Sequence, residues 1–106
     1  MAAALDSWHD IIRSGDASAL DTLIADDAVF HSPVVHTPQV GKAIVVKYLT
    51  AAAKVLLNGS FHYVREMVDE RQAMLEFEVT IDDIVINGVD HICWNDNNQI
   101  IEFKVW

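Results

Sequence analysis

The sequence predicts an α+β fold, in which three N-terminal helices pack on a strongly curved, mixed or antiparallel sheet shaped like a half-cone. Apolar residues recur at helical spacing in the first half of the chain, and four segments of alternating polarity fill the second half. Short polar turns separate these segments, and strands joined by short turns pair antiparallel. Helices that close such a bent sheet leave an internal cavity.

The composition indicates one small domain and excludes two classes of partner. The chain has 106 residues, 52% of them hydrophobic, and a formal net charge of -9. This length supports one core, so we expect a single domain over residues 1–106. The apolar surplus fits either a rich core or the lining of a cavity or interface. Without a Lys/Arg cluster, neither nucleic acid nor a membrane surface is an expected partner.

Three further features indicate a cytoplasmic protein. The N-terminus lacks the basic and apolar regions of a signal peptide. No segment approaches the ~18 apolar residues of a membrane-spanning helix. Cys93 is the single cysteine, which excludes an internal disulfide and fits a reducing compartment. We expect its thiol to be inert.

Two helices begin the chain. The first is predicted by apolar residues at helical spacing, namely Leu5, Trp8, Ile11 and Ile12. Gly15 ends it, and Asp16 is a suitable N-cap for the second helix. The apolar stripe of the second helix comprises Leu20, Leu23 and Ile24. We expect this helix to end at Asp26-Asp27.

A short strand over residues 28–32 follows and is broken by Pro33. A third helix begins at Gln39 or Gly41 and ends at Leu57. Its apolar residues cover more than half of its circumference, so we expect it to be buried on most sides.

Four strands complete the predicted fold. They cover residues 61–68, 73–81, 84–94 and 100–106. Leu75, Phe77 and Val79 give the second of them one apolar face. Glu76 and Glu78 lie on the opposite face, which we expect to be solvated or to form an interface.

Short motifs stand in a fixed order along nearly the whole chain. They are Trp8…Gly15-Asp16, Leu20…Ala25-Asp26-Asp27-Ala28-Val29-Phe30, Ser32-Pro33, Gly41-Lys42 and Ile100-Ile101-Glu102-Phe103. With the order of elements, they resemble the SnoaL-like branch of the nuclear transport factor 2-like superfamily. That superfamily includes ketosteroid isomerases, polyketide cyclases, scytalone dehydratase, limonene-epoxide hydrolase and non-enzymes, so the resemblance implies a fold but no single reaction. Members usually continue past the last strand, which implies a missing C-terminal tail or strand end after Trp106.

The resemblance to ketosteroid isomerases carries three functional positions onto this chain. The general-base Asp of those enzymes corresponds to Ser32, and their oxyanion-hole Tyr corresponds to Trp8. Their protonated oxyanion-hole Asp corresponds to Asp90. Since a serine cannot serve unaided as the base, we do not expect a standard ketosteroid isomerase.

Asp90 is the candidate catalytic residue. It shares one strand face with Ile92 and Trp94, so it faces the cavity if they do. A carboxyl group among apolar side chains has a raised pKa and can donate a hydrogen bond or a proton; the alternative is a solvated Asp90 near the strand start. The register predicts a ligand pocket lined by Trp8, Phe30, Ser32, Tyr48, Phe77, Ile92, Trp94 and Phe103. For the tryptophans and Tyr48, ordinary core packing is the alternative.

Other polar candidates are weaker. Strand alternation turns His31 outward, and His36 lies on the irregular connection. With His62 they lack the spacing of metal ligands, so we predict no metal and no cofactor. An Asp-Arg-Asp set like that of limonene-epoxide hydrolases would need Arg65 to reach inward beside Asp90. Alternation places Arg65 on the inward face, but no second inward Asp is evident.

Two classes of function remain. One is an enzyme that moves protons on a small apolar carbonyl compound, as isomerases, cyclases, dehydratases and hydrolases do. The other is a non-catalytic module that binds a small hydrophobic molecule or serves in association. The outer face of the sheet carries a partly apolar set among charges, comprising Met74, Thr80, Cys93 and Trp106. We therefore predict a homodimer through that face.

Overall fold

The computed structural model describes residues 3–32 and 37–106. Its elements are α1 (Ala3–Ser14), a 3₁₀ turn (Ala17–Ala19), α2 (Leu20–Leu23), β1 (Ile24–His31), β2 (Gln39–Val40), α3 (Lys42–Leu56), β3 (His62–Val68), β4 (Gln72–Ile81), β5 (Ile84–Trp94) and β6 (Ile100–Val105). The predicted α+β architecture is confirmed, since the helices pack on a curved, open, mixed sheet. Pro33 and His36 lie outside the described residues.

The sheet has the strand order β2-β1-β6-β5-β4-β3. Strands β3 to β6 form the predicted antiparallel meander. Strand β1 pairs parallel with β6, with Phe30 opposite Phe103. A parallel pair needs a long crossover, and α3 together with β3, β4 and β5 provides it. Strand β1, in the N-terminal half of the chain, is thereby hydrogen-bonded to the last strand.

The second helix is shorter than predicted. Asp16 caps the 3₁₀ turn, where its Oδ1 accepts a hydrogen bond of 3.0 Å from the Ser18 amide. Helix α2 ends at Leu23, and Ile24 is already the first residue of β1. Ile24 is fully buried and pairs with Ile100. Sheet pairing therefore overrides the helical periodicity that predicts a helix there.

Helix α3 is more exposed than predicted. It begins after Gly41, and its buried residues are Val45 and Leu49 alone. Val55, in its last turn, is 60% exposed, so the expectation of burial on most sides is wrong. The helix packs on β1 with one face and leaves the other to solvent. Within residues 3–32 and 37–106, no helix is long and apolar enough to cross a membrane.

Strands β4 and β5 set the concave face of the sheet. Asp82 and Asp83 link them with φ angles of 50° and 67°, as a tight two-residue hairpin turn requires. This turn fixes a register in which Leu75 lies opposite Asp90. The core lies between this concave face and the helices, and its largest fully buried side chains are Leu20, Ile24, Leu75, Ile92, Ile100, Val45 and Val79.

A close approach between the same two strands shapes the concave face further. Gly88 lies opposite Phe77, and the Phe77 ring covers the glycine. A Cβ atom at residue 88 would lie 2.6 Å from Cζ of Phe77. The ring keeps this position only because residue 88 has no side chain.

Replacing Gly88 tests this packing. Gly88→Ala should lower the free energy of unfolding by about 1–3 kcal/mol, because the added methyl group forces the Phe77 ring out of its place. Urea unfolding of the variant measures the loss, and Val85→Ala, at an exposed site on the same strand, is the control. The double variant Gly88→Ala/Phe77→Leu should recover part of the loss. Equal stability of Gly88→Ala and the wild type would contradict the packing argument.

Candidate functional site

A cavity lies between the helices and the concave face of the sheet. Its volume is about 70 Å³, or about 550 Å³ with the open space at its rim. Its buried lining residues are Trp8, Ile11, Leu20, Phe30, Leu49, Phe77, Asp90 and Phe103. Half-buried lining residues form the rim, namely Ile12, Ala52, Ala53, Leu56, Leu57, Phe61 and Val105. The lining is apolar except at Asp90 and the indole N–H of Trp8, so the cavity suits a small apolar molecule.

Asp90 stands at the end of a short chain of hydrogen bonds. Its carboxyl group is buried, with 6% of the residue exposed. Its Oδ2 accepts a hydrogen bond of 2.7 Å from the Tyr63 hydroxyl. That hydroxyl accepts a hydrogen bond of 2.9 Å from Nε1 of Trp8. One helix and two strands thus supply a polar network in an otherwise apolar wall.

The surroundings of Asp90 bring the pKa of its carboxyl group close to neutral pH. Burial raises the pKa of Asp90 to about 7, and the hydrogen bond from Tyr63 opposes this rise by favouring the carboxylate. Burial, followed by the nearby Asp90 charge, raises the pKa of Tyr63 well above 10. Tyr63 therefore stays neutral, whereas Asp90 can exchange a proton at physiological pH.

The structure brings five of the predicted site residues to the cavity. Trp8, Phe30, Phe77 and Phe103 line it together with Asp90. Trp8 packs edge-on against Phe103, with ring centroids 4.9 Å apart. These rings build an aromatic wall beside the carboxyl group.

The other four predicted pocket residues lie elsewhere. Ile92 and Trp94 point inward but are buried in the core, away from the cavity wall. Tyr48 is half-buried and stacks on Phe30, with ring centroids 5.5 Å apart. Ser32 follows the end of β1 and is not among the lining residues. The position that corresponds to the general base of ketosteroid isomerases is therefore not among the described residues that line this cavity.

Sequence reasoning did not include Tyr63, which hydrogen-bonds to Asp90, among the candidate site residues. A bulge in β3 explains a second difference from the prediction, at Arg65. The register of β3 on β4 shifts between Tyr63 and Arg65, so both cannot share a face as strict alternation predicts. Arg65 points outward, and its Nε lies 2.6 Å from Oε1 of Glu76. The expectation that Arg65 lies on the inward face, as an Asp-Arg-Asp set would need, is therefore wrong.

Two more polar candidates lie on the outer face. His31 points away from the cavity, and its Nε2 lies 3.1 Å from Oε2 of Glu102. His62 is exposed at the start of β3, with Nε2 3.8 Å from Oε1 of Glu78. Neither ring can reach a molecule in the cavity.

Comparison with known proteins places the chain in a family. The sequence model of the SnoaL-like domain matches residues 5–103. A steroid delta-isomerase from Pseudomonas aeruginosa is 35% identical, with a TM-score of 0.91 over 98% of this chain and 76% of that one. A protein with a cystatin-like fold from Silicibacter pomeroyi is 27% identical, with a TM-score of 0.88 over 99% and 73%.

A more distant structure shares the fold alone. It is an NTF2-like protein from Mesorhizobium loti that is 20% identical, with a TM-score of 0.82 over 97% of this chain and 86% of that one. No curated protein matches the chain.

The raised pKa of Asp90 predicts how stability depends on pH. Asp90 has a folded-state pKa of about 7, against an ordinary value of 3.8, so between these values the folded state holds a proton that the unfolded state has released. The contribution of Asp90 to stability is full below about pH 4 and is lost as the pH rises to about 7, by up to about 4 kcal/mol. Asp90→Asn removes this titration.

Urea unfolding of the wild type and Asp90→Asn at pH 4, 5.5 and 8 measures the effect. The stability of the wild type relative to the variant should fall steadily across the series. Asp21→Asn, at an exposed site on α2, is the control. A stability difference between wild type and Asp90→Asn that is independent of pH would rule out a raised pKa.

Proposed function

The chain belongs to the SnoaL-like family, and on that premise we propose that it binds a small apolar carbonyl compound and transfers a proton to or from it through Asp90. One observation carries the proposal. A buried carboxyl group with a pKa of about 7 stands in a cavity whose other described lining side chains are apolar, apart from the indole N–H of Trp8. Burying an ionisable group without compensation is unfavourable, and such groups cluster at functional sites.

The chemistry of Asp90 suits the isomerase, cyclase or dehydratase type. A general acid or base works best when its pKa is close to the working pH. Neutral Asp90 can donate a proton or a hydrogen bond to a carbonyl oxygen, which stabilises the negative charge that develops there during enolisation. The similarity to a steroid delta-isomerase supports an isomerase-type reaction. A serine stands at the position of the general base of ketosteroid isomerases, and Ser32 is not among the described residues that line the cavity, so we do not propose their standard mechanism.

A non-catalytic hydrophobic-ligand binder is the second candidate. Asp90 is the one carboxyl group among the cavity-lining residues that the structure describes. An enzyme that moves a proton between two atoms of its substrate with one group must use that group as both base and acid. A binding protein needs the carboxyl group only as a hydrogen-bond partner.

Proton exchange distinguishes the two candidates. The probe is 2-cyclohexen-1-one in D₂O, with deuterium uptake at the acidic carbon positions followed by NMR. An enzyme should accelerate uptake over buffer, and Asp90→Asn should reduce the rate by about 100-fold or more, because an amide is not an acid–base catalyst. Asp21→Asn should match the wild type. Saturable binding of the probe without acceleration would favour the second candidate.

We also propose a homodimer through the outer face of the sheet. Met67 and Met74 lie side by side there on β3 and β4, 69% and 38% exposed. Val85 and Trp106 add exposed apolar surface on the same face. An apolar set of this kind among charged residues is typical of a subunit interface.

Breaking the apolar pair tests the dimer. Met67→Glu/Met74→Glu should give a species near 11.8 kDa in sedimentation velocity at micromolar concentration, because buried like charges oppose association. The wild type should sediment at twice that mass. Val55→Glu, exposed on α3, should leave the dimer intact. A monomeric wild type would refute the proposal.

We propose a cytoplasmic location as well. Cys93 is a free thiol. Burial, followed by the Glu102 carboxylate, raises its pKa. A thiol that stays protonated is a poor nucleophile, so Cys93 suits a structural role in a reducing compartment.

A further inference from the structure

The cavity opens towards the C-terminal end of α3. One stripe of this helix lines the cavity at helical spacing, and it comprises Leu49, Ala52, Ala53 and Leu56. Leu49 is buried, whereas the three later residues of the stripe are half-buried. On α1, Ile11 is buried and the next lining residue, Ile12, is half-buried. Both helices therefore lead from the interior of the cavity to its rim.

The rim is a fixed part of the fold where α3 ends. The Leu57 amide donates a hydrogen bond of 3.0 Å to the carbonyl oxygen of Ala53, which closes the last turn of the helix. In the segment that follows, Nδ2 of Asn58 donates a hydrogen bond of 2.8 Å to the carbonyl oxygen of Thr80. The Thr80 amide donates one of 3.0 Å to Oγ of Ser60. These bonds attach the segment between α3 and β3 to the end of β4.

Phe61, the next rim residue, is held by other rings. It stacks on Phe77, with ring centroids 5.1 Å apart. It also packs edge-on against Tyr63, with ring centroids 5.3 Å apart. The rim therefore has its shape before a ligand arrives, as most small-molecule sites do.

Polar and apolar groups are separated along the cavity. The polar side-chain atoms of its lining belong to Trp8 and Asp90, which are 5% and 6% exposed. None of the described rim residues carries a charge or a hydrogen-bonding side chain. A molecule that fills the cavity and extends to the rim thus meets polar atoms only on buried residues, and its outer part lies against apolar side chains.

The charged residues beside the rim offer no binding site for a charged group. Arg13, next to Ile12, pairs with Asp10. Lys54, next to Ala53, lies on the exposed face of α3 and is not among the lining residues. The formal net charge of -9 also opposes the approach of an anion. The ligand that suits this surface is neutral along its whole length.

We propose that the rim binds an aliphatic tail, so that the cavity takes a neutral, chain-like molecule with its one polar group inside and its alkyl chain on the rim. The inference rests on the proposed function in taking the cavity as the ligand site. It adds the shape of the ligand and the direction in which the ligand lies.

A series of ketones tests the tail. The probes are the 2-alkanones from 2-butanone to 2-nonanone, with affinities measured by NMR titration. Affinity should rise about two- to fourfold per CH₂ group, since a fully buried CH₂ group contributes about fourfold and the rim is half-buried. The anion 8-oxononanoate has the carbon chain of 2-nonanone with a carboxylate at its end. It should bind on the order of 30-fold or more weakly, because the carboxylate would lose water against apolar side chains.

Rim variants separate this site from unspecific partitioning. Ala53→Glu places a charge on the rim, so it should weaken the binding of 2-nonanone on the order of 10-fold or more and leave that of 2-butanone unchanged. Leu56→Ser, which removes apolar surface without adding charge, should act in the same direction. Ala51→Glu makes the same charge change at an exposed site of the same helix, and it should have neither effect.

The direction of the ligand has its own readout in the wild type. Intermolecular NOEs should connect the terminal methyl group of 2-nonanone with the methyl groups of Leu56 and Leu57. Its C1 methyl group, beside the carbonyl, should give NOEs to the indole ring of Trp8. The reverse pattern would mean that the polar end lies on the rim.

Different failures overturn different claims. The tail site is wrong, and the proposed function stands, in any of four cases. These are equal affinities for 2-butanone and 2-nonanone, equal affinities for 8-oxononanoate and 2-nonanone, the same binding by Ala53→Glu and Ala51→Glu, or reversed NOEs. If the wild type binds none of the ketones, the proposed function fails and this inference fails with it.

Discussion

The register between β4 and β5 is the constraint on which the site depends. The turn at Asp82 and Asp83 sets this register. The register places Leu75 opposite Asp90 and Phe77 opposite Gly88. A slip of one residue would turn every side chain of a strand to the other face. A slip of β5 would place the Asp90 carboxyl group in solvent, and a slip of β4 would remove Phe77 from the aromatic wall. The packing of Phe77 over Gly88 opposes such a slip, because no other residue of β5 could accept the ring so closely.

Features that depend on local pattern could be predicted from the sequence. The alternation of apolar and polar residues along β4 and β5 is enough to predict which side chains point inward, since a strand of period two exposes one face and buries the other. The same alternation predicts that Asp90 points inward, and its carboxyl group lies in the cavity wall. The meander and its turns follow from the same pattern, as does the α+β fold.

Features that depend on tertiary contacts could not be predicted in this way. The bulge after Tyr63 is invisible in the pattern of β3, yet it decides that Arg65 points outward. Ile24 has helical spacing but pairs with Ile100. The apolar residues of α3 predict burial, but the sheet offers the helix only one surface to pack on. The α3 part of the cavity wall, which includes Leu49 and Leu56, was missed for this reason.

The buried network lowers stability, and the proposed binding of a ligand gives a reason for it. An apolar residue at position 90 would avoid the cost of burying a carboxyl group, which is greatest where that group ionises. The chain instead places two donors, from Trp8 and Tyr63, in line behind one carboxyl oxygen. This arrangement satisfies Oδ2, whereas Oδ1 has no hydrogen-bond partner among residues 3–32 and 37–106. A network built only for stability would satisfy both oxygens, and the proposed function explains why one of them is not satisfied.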